Sequence, residues 1–347
     1  MTYRSCLLIA ALLPGTVAAE MSIHYLDVGQ GDATAVTGPG GCTILIDAGR
    51  HDRDDILPHL ESLGIDSLDL LIGTHPHADH IGQFDRVLTA LPVDEVWLSG
   101  YEHTTQTFER ALDAILDSDA EFHEPRAGEE HSCGMLEVTV LHPEEPLSDI
   151  HDNIAVRISY EEFAAVFTGD AETTHEQEMI ERGEGLDADV LQLGHHGSRT
   201  STSDAFLEAV SPSTAIYSAA EDNQYGHPRG EVVDRIHRND IELIGTDAHG
   251  TITVASDGRG FTLTTETDAA IEEHELEPED GEQCVDINSA SIDALTGIVH
   301  IGEARAKEIV DVRDAAPFEQ LQELTRIDGL GPARVDDIKE EGEACVQ

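Results

Sequence analysis

The chain has 347 residues, 71 of them acidic and 19 basic, for a formal charge of -52, with 39% apolar and 4% aromatic residues. That length accommodates one large domain and a small one, and the apolar residues fall in strand-like patterns, which excludes a chain disordered throughout. Lysine occurs only at Lys307 and Lys339. An acidic, lysine-poor surface stays hydrated where salt shortens the Debye length to about 3 Å, so a salt-adapted protein is expected.

In chain order, residues 1–19 read as an export signal: Arg4, the apolar run Cys6–Leu13, Pro14-Gly15 and the small residues Val17-Ala18-Ala19. A secreted protein is therefore expected, with an uncleaved core helix as the alternative. The run is too short to span a bilayer, and no later segment reaches that length. Residues 21–265 alternate strands and helices. Strands are predicted at Ser22–Asp27, Ala33–Thr37 and Cys42–Asp47, a helix at Asp54–Leu63, and a buried strand at Leu68–Gly73. Next come strand Glu95–Leu98, helix Gln106–Asp117, strands Leu136–Leu141, Ile154–Tyr160 and Ala164–Thr168, and helix Glu172–Arg182. Strand Ala188–Leu193, helix Asp204–Val210, and strands Ala215–Ser218, Glu242–Ile244, Thr251–Ala255 and Phe261–Thr265 complete the segment. Mixed hairpins and βα units of this kind suit a layered α/β sandwich. Residues 266–283 hold nine acidic and no basic residues, which reads as a solvated linker. A small helical unit follows over 284–347. Cys284 and Cys345 bracket it, and a staple between them fits an oxidising compartment.

The chemistry concentrates in Thr74-His-Pro-His-Ala-Asp-His80. His75, His77, Asp79 and His80 follow a buried strand, where side chains at i and i+2 converge on one ion and those at i+4 and i+5 reach a second. Imidazole and carboxylate are ligands that zinc takes at catalytic sites, with manganese as the alternative. Asp170 follows the strand Ala164–Thr168, and His195 and His196 follow Ala188–Leu193. Strand ends are where open α/β folds place their sites. Two ions sharing these ligands would activate water and absorb charge developing on a phosphoryl oxygen.

Thr74-His-Pro-His-Ala-Asp-His-Ile-Gly82 resembles the signature of the metallo-β-lactamase superfamily. Leu26–Ala33, Ile44–Gly49, Leu141-His-Pro143, Phe167–Glu172, Leu193–Ser198 and Asn223–Pro228 together resemble the soluble hydrolase domain of the ComEC family of competence DNA-uptake channels. The resemblance implies a four-layer αββα sandwich and two divalent ions. It implies His75 and His77 on the first ion, Asp79 and His80 with His195 or His196 on the second, and Asp170 between them. Asp47, Asp32 and His196 would support these ligands. His142 stands where the superfamily places a third histidine for the first ion, with a structural His-Pro turn as the alternative. His227 is expected as a general acid or phosphate contact beside Asp79.

Val285–Glu341 contains two related stretches, Leu295–Ala304 and Leu324–Arg334, each running into a helix. They resemble the tandem helix-hairpin-helix modules of ComEA-type DNA receptors. Gly329-Leu-Gly331 matches such a turn well, whereas Ile298–Gly302 reads as longer, with Gly302 its one clear glycine. Gly302, Gly329 and Gly331 would offer backbone N–H groups to DNA phosphates without reading sequence. Arg305, Lys307, Arg334 and Lys339 follow the turns and favour DNA as partner. Against that, the unit holds six basic and fourteen acidic residues, so DNA repulsion is expected at low salt. The reading is an exported two-metal nuclease or phosphodiesterase with a small all-α DNA-binding module. The alternatives are a non-catalytic DNA receptor and a metallo-hydrolase of another ester, lactam or phosphodiester.

Overall fold

In the computed structural model, the described residues are 20–147, 150–183, 185–267, 285–290, 295, 298–318, 320–327, 329–331, 334–335, 338–339 and 344–346. The expected export signal, nearly all of the acidic linker, and Cys284 lie outside them. The chain opens with β1 (Met21–Tyr25), β2 (Thr34–Gly38), β3 (Cys42–Ile46), α1 (Ile56–Ser62), β4 (Leu68–Gly73), α2 (Phe84–Ala90), β5 (Val93–Leu98), α3 (Gln106–Asp117) and β6 (Glu121–His123). It continues through β7 (Glu130–Cys133), β8 (Leu136–His142), β9 (Ala155–Tyr160), β10 (Phe163–Phe167), α4 (Thr173–Arg182), β11 (Val190–Gln192), α5 (Asp204–Val210), β12 (Thr214–Tyr217), α6 (Gly230–Arg238) and β13 (Glu242–Gly245). After the short helix α7 (Thr246–His249), β14 (Ile252–Ser256) and β15 (Phe261–Thr265) complete the sandwich.

One sheet runs β15-β14-β1-β2-β3-β4-β5-β6 and the other β13-β12-β11-β10-β9-β8-β7. Strand alternation explains how they stack. Ile44, Ile46, Leu70 and Ile72 point into the core between the sheets, whereas Leu45 and Leu71 point out under α1–α3. In the second sheet Phe163, Ala165 and Phe167 face the shared core, while Ala164 and Val166 face the α4–α6 layer. The result is the expected four-layer αββα sandwich. The sequence reading missed β6, β7, α2 and α6. Each is short, and β6 and β7 are largely exposed edge strands without an apolar alternation.

A Cys42–Cys133 disulfide joins the start of β3 to the end of β7, and so joins the two sheets. It sits at the opposite end of β3 from Asp47. Cys345 is disulfide-bonded as well; its expected partner, Cys284, is outside the described residues.

The C-terminal segment has its own core of Ile287, Leu295, Ile298, Ile309, Phe318, Leu324, Ile327 and Ile338. Among the described residues, helix α8 (Glu303–Ala315) is its longest element. Val285–Asp286 pairs in parallel with Ala344–Cys345, drawing the two ends of the unit together.

Candidate metal centre

The site lies where ends of strands from both sheets meet. Asp47 follows β3 in the left-handed region, with φ 58°, a strained conformation for a non-glycine residue. Its carboxylate accepts hydrogen bonds from Thr74 N (2.9 Å), Thr74 Oγ1 (2.7 Å) and His80 Nδ1 (2.8 Å). The ligand loop after β4 is also laced by its backbone to the segment after β3. Ala48 N donates to His80 O at 2.7 Å, His51 N to Ala78 O at 3.0 Å, and Gly82 N to Gly49 O at 2.9 Å. A Cβ on Gly82 would collide with His51 N, Gly49 O and Ala78 O, so only glycine fits.

The second sheet supplies the rest. Asp170 follows β10, its N–H bonded to Asn153 Oδ1 at 3.0 Å. His195 and His196 follow β11, both with positive φ, 51° and 57°. The two oxygens of Asp170 face different neighbours. Oδ2 lies 3.4 Å from His75 Nε2 and 3.6 Å from His195 Nε2; Oδ1 lies 3.2 Å from His80 Nε2 and 3.8 Å from His196 Nε2. His75, His77 and Asp170 form one group able to hold an ion, and Asp79, His80 and His196 a second.

This donor set fits divalent metal. His80 Nε2, His196 Nε2 and Asp170 Oδ1 are buried and make no hydrogen bond. Asp47 and the Ser218 carbonyl (2.9 Å) engage the Nδ1 atoms of His80 and His196, leaving each Nε2 aimed at the carboxylate. Burial and the neighbouring His80 charge hold His75 well below the usual histidine range, and burial holds His77 and His195 down to about 4. Those three rings are neutral, the form in which imidazole can take a metal ion. Burial opposes charge on His80 and His196 too, but Asp170 outweighs it, helped by Asp47 for the former and Asp79 for the latter. His80 is held well above the usual range and His196 at about 9. Burial alone would raise Asp79 and Asp170; the neighbouring His196 for the first, and His80 for the second, hold both below the carboxylate range. A cation entering here meets ionised carboxylates and displaces protons from two rings.

Several sequence expectations change. His196, read either as a partner of Asp79 and His80 or as a support behind them, has its Nε2 in the group with Asp79 and His80, 3.6 Å from Asp79. His195 instead faces Asp170 Oδ2 and groups with His151 and Glu172. His142 is not in the cluster. Its Nδ1 donates to Asn153 O at 2.8 Å and its Nε2 lies 3.3 Å from Glu178, beside His175 of α4. Alternation would send His142 inward with Val138 and Val140, but a bulge between Val140 and His142 turns it toward α4. Asp32 is buried, accepts a hydrogen bond from Gln192 Nε2, and is raised by burial to about 6. His227 is buried with both ring nitrogens unpartnered. Burial, then His196 and His195, hold it down to about 2. A neutral ring suits a hydrogen bond to a phosphoryl oxygen.

The centre opens into a cavity of about 680 Å³. The sequence reading missed three residues that line it: His103, His151 and Tyr225. They arrive on loops with no ligand spacing; the one available signal was a histidine directly before Asp152-Asn153 at the start of β9. Val299, His300 and Arg334 of the C-terminal segment also line it. Of the other expected DNA contacts, Gly302 caps the N-terminus of α8, Lys307 is exposed, and Lys339 donates to Gln322 Oε1 at 3.1 Å. Arg305 donates to His300 O at 2.7 Å and Arg334 to Gly329 O at 2.8 Å. These matching bonds correct the reading of the first turn. Ile298-Val-His-Ile-Gly302 aligns with Ile327-Asp-Gly-Leu-Gly331 without extra spacing. His300, with φ 63°, holds the left-handed position that Gly329 holds with φ 75°. Gly331 follows it in the second turn, where nothing crowds its Cα.

Residues 26–221 match the metallo-beta-lactamase superfamily. The chain belongs to that superfamily. Residues 281–341 match the helix-hairpin-helix motif. Similar proteins include ComE operon protein 3 of Bacillus subtilis (strain 168), 30% identical over 256 residues, covering 68% of this chain and 33% of that protein. Recombination protein 2 of Haemophilus influenzae is 31% identical over 240 residues, 67% of this chain and 28% of that protein. The chain thus spans about a third of the length of these relatives. A deoxyribonuclease of Thioalkalivibrio sp. (strain K90mix) is 44% identical over 64 residues, 18% of this chain and 17% of that protein. Among solved structures, Tm1679, a metal-dependent hydrolase of the beta-lactamase superfamily, is 16% identical with a TM-score of 0.44, covering 67% of this chain and 98% of that one. Among the described residues, no helix is long and apolar enough to cross a membrane.

Proposed function

We propose that the chain is a two-metal phosphodiesterase acting on DNA, with a hydrolase domain (21–265) joined by an acidic linker (266–283) to a DNA-binding module (284–347). The observation that carries this reading is Asp170, whose two oxygens face two separate sets of ligands. His75 and His77, with Asp170 Oδ2 and His195, would hold one ion; Asp79, His80 and His196, with Asp170 Oδ1, would hold the other. Zinc or manganese bound there supplies Lewis acidity toward a phosphoryl oxygen and an activated water. Asp47 fixes the orientation of His80 and the ligand loop. His227 offers a ring N–H to a phosphoryl oxygen at the cavity. The helix-hairpin-helix match and the competence-protein and deoxyribonuclease relatives favour DNA over lactams or thioesters.

Export is part of the proposal. The N-terminal apolar run supports it, as does a disulfide between the sheets, since such bonds persist in oxidising compartments. So is adaptation to high salt, which would screen the repulsion between an acidic module and DNA. The test is a panel of single-stranded DNA, double-stranded DNA, RNA and bis(4-nitrophenyl) phosphate in concentrated KCl, with a metal-stripped control. Metal-dependent cleavage of DNA is expected. Cleavage of none of the phosphodiesters by zinc- or manganese-loaded protein would overturn the reading.

A further inference from the structure

The C-terminal module is packed against the cavity rather than held away from it. Tyr225, on the loop that carries His227, packs on the module's core. Its ring also stacks on His227, with centroids 5.7 Å apart and planes 26° apart. The contact that seats the module therefore touches a ring beside the metal ligands.

The two hairpin turns differ at one place that matters here. The second has Gly329 in the left-handed position; the first has His300 there. A side chain in that conformation is disfavoured relative to glycine. His300 lines the cavity, as Arg334 of the second hairpin does. Arg334 is the sole arginine or lysine among the described residues lining it, whereas Asp79, Asp170 and Glu172 contribute carboxylates. Guanidinium presents a fork of donors that matches two phosphate oxygens.

We propose that His300 and Arg334 bind a substrate phosphate next to the scissile one, making the module one wall of the active site. This rests on the phosphodiesterase reading above. The ions would engage the scissile phosphate on the floor, and the module's turns would grip its neighbour. Substrates with one phosphodiester would then gain nothing from the wall, and substrates with two would gain both contacts.

The test compares TpT, with one phosphodiester, and TpTpT, with two, using the full chain in concentrated KCl. Binding is measured by calorimetry on metal-stripped protein, and KM and kcat on metal-loaded protein. Arg334→Gln should weaken TpTpT binding and raise its KM about tenfold, with TpT little changed. His300→Gly places in the first turn the residue the second turn already uses, so it preserves the backbone; it should weaken TpTpT about threefold in the same selective way. Equal losses on both substrates, unchanged TpTpT affinity, or wild-type protein that does not bind TpTpT would each overturn the proposal. Arg334-dependent binding of TpTpT without cleavage would uphold the wall and overturn the phosphodiesterase reading.

Discussion

The floor of the cavity and its C-terminal wall are held by different means. On the floor, His75, His80, Asp170 and His196 are buried, and strand ends from two sheets converge on them. Backbone hydrogen bonds and three left-handed residues, Asp47, His195 and His196, fix their directions. On the wall, Arg334 is exposed and stands on the helix just after a turn of a smaller core. The floor resembles a preformed ligand cage, in which a change at one residue disturbs the rest. The wall resembles a binding surface, in which changes have graded effects.

Reducing the Cys42–Cys133 disulfide should separate the two regions most strongly. It closes a loop of 91 residues across both sheets, so its loss should cost the sandwich about 4–5 kcal/mol by the loop-entropy account. Denaturant unfolding of Cys42→Ala/Cys133→Ala should show a lower midpoint for the sandwich. An unchanged midpoint would mean the sheets do not need the staple.

Asp170→Ala should lower phosphodiester hydrolysis by about 10³-fold or more and reduce the bound metal, since one carboxylate serves both ligand groups. Metal analysis by mass spectrometry checks this; a variant retaining both ions and activity would break the picture of a cage. Asp47→Asn keeps the shape but weakens the hold on His80. A loss of about 10–100-fold in metal affinity is expected there, read by competition with a chelating dye.

The floor should also titrate. In metal-stripped protein His196 is raised from 6.5 to about 9, and His80 is raised as well. A raised pKa means stability fully present below pH 6.5 and lost as pH climbs through about 9. Stripped protein should therefore unfold at lower denaturant at about pH 9.5 than at about pH 7.5, a window in which the lowered rings His75, His77, His195 and His227 stay neutral, and metal uptake at neutral pH should release protons. Metal uptake without proton release, measured in buffers of different ionisation enthalpy, would contradict the assigned charges.

Much of the floor was legible in the sequence because its ligands follow apolar strands, and strand ends converge in a layered α/β fold. The spacing of His75, His77, Asp79 and His80 is local, and the same rule pointed to Asp170 and the pair His195-His196. Which of that pair joins Asp79 was not legible, because two successive left-handed residues set their directions. His142, left open between a ligand and a structural turn, is decided by a bulge, a feature that leaves no trace in the alternation of β8. His103, His151 and Tyr225 depend on loop paths, which have no periodicity to read. In the C-terminal module, the equivalence of His300 and Gly329 was hidden because a histidine stands where a glycine marks the turn in the second repeat.

The central claim is a two-ion floor bridged by Asp170. Its most direct test is to titrate zinc or manganese into the stripped full chain while following bis(4-nitrophenyl) phosphate hydrolysis and bound metal together. Activity should rise from the stripped baseline and level off at two ions per chain. Full activity in the stripped protein, or a plateau reached at a single ion, would contradict it.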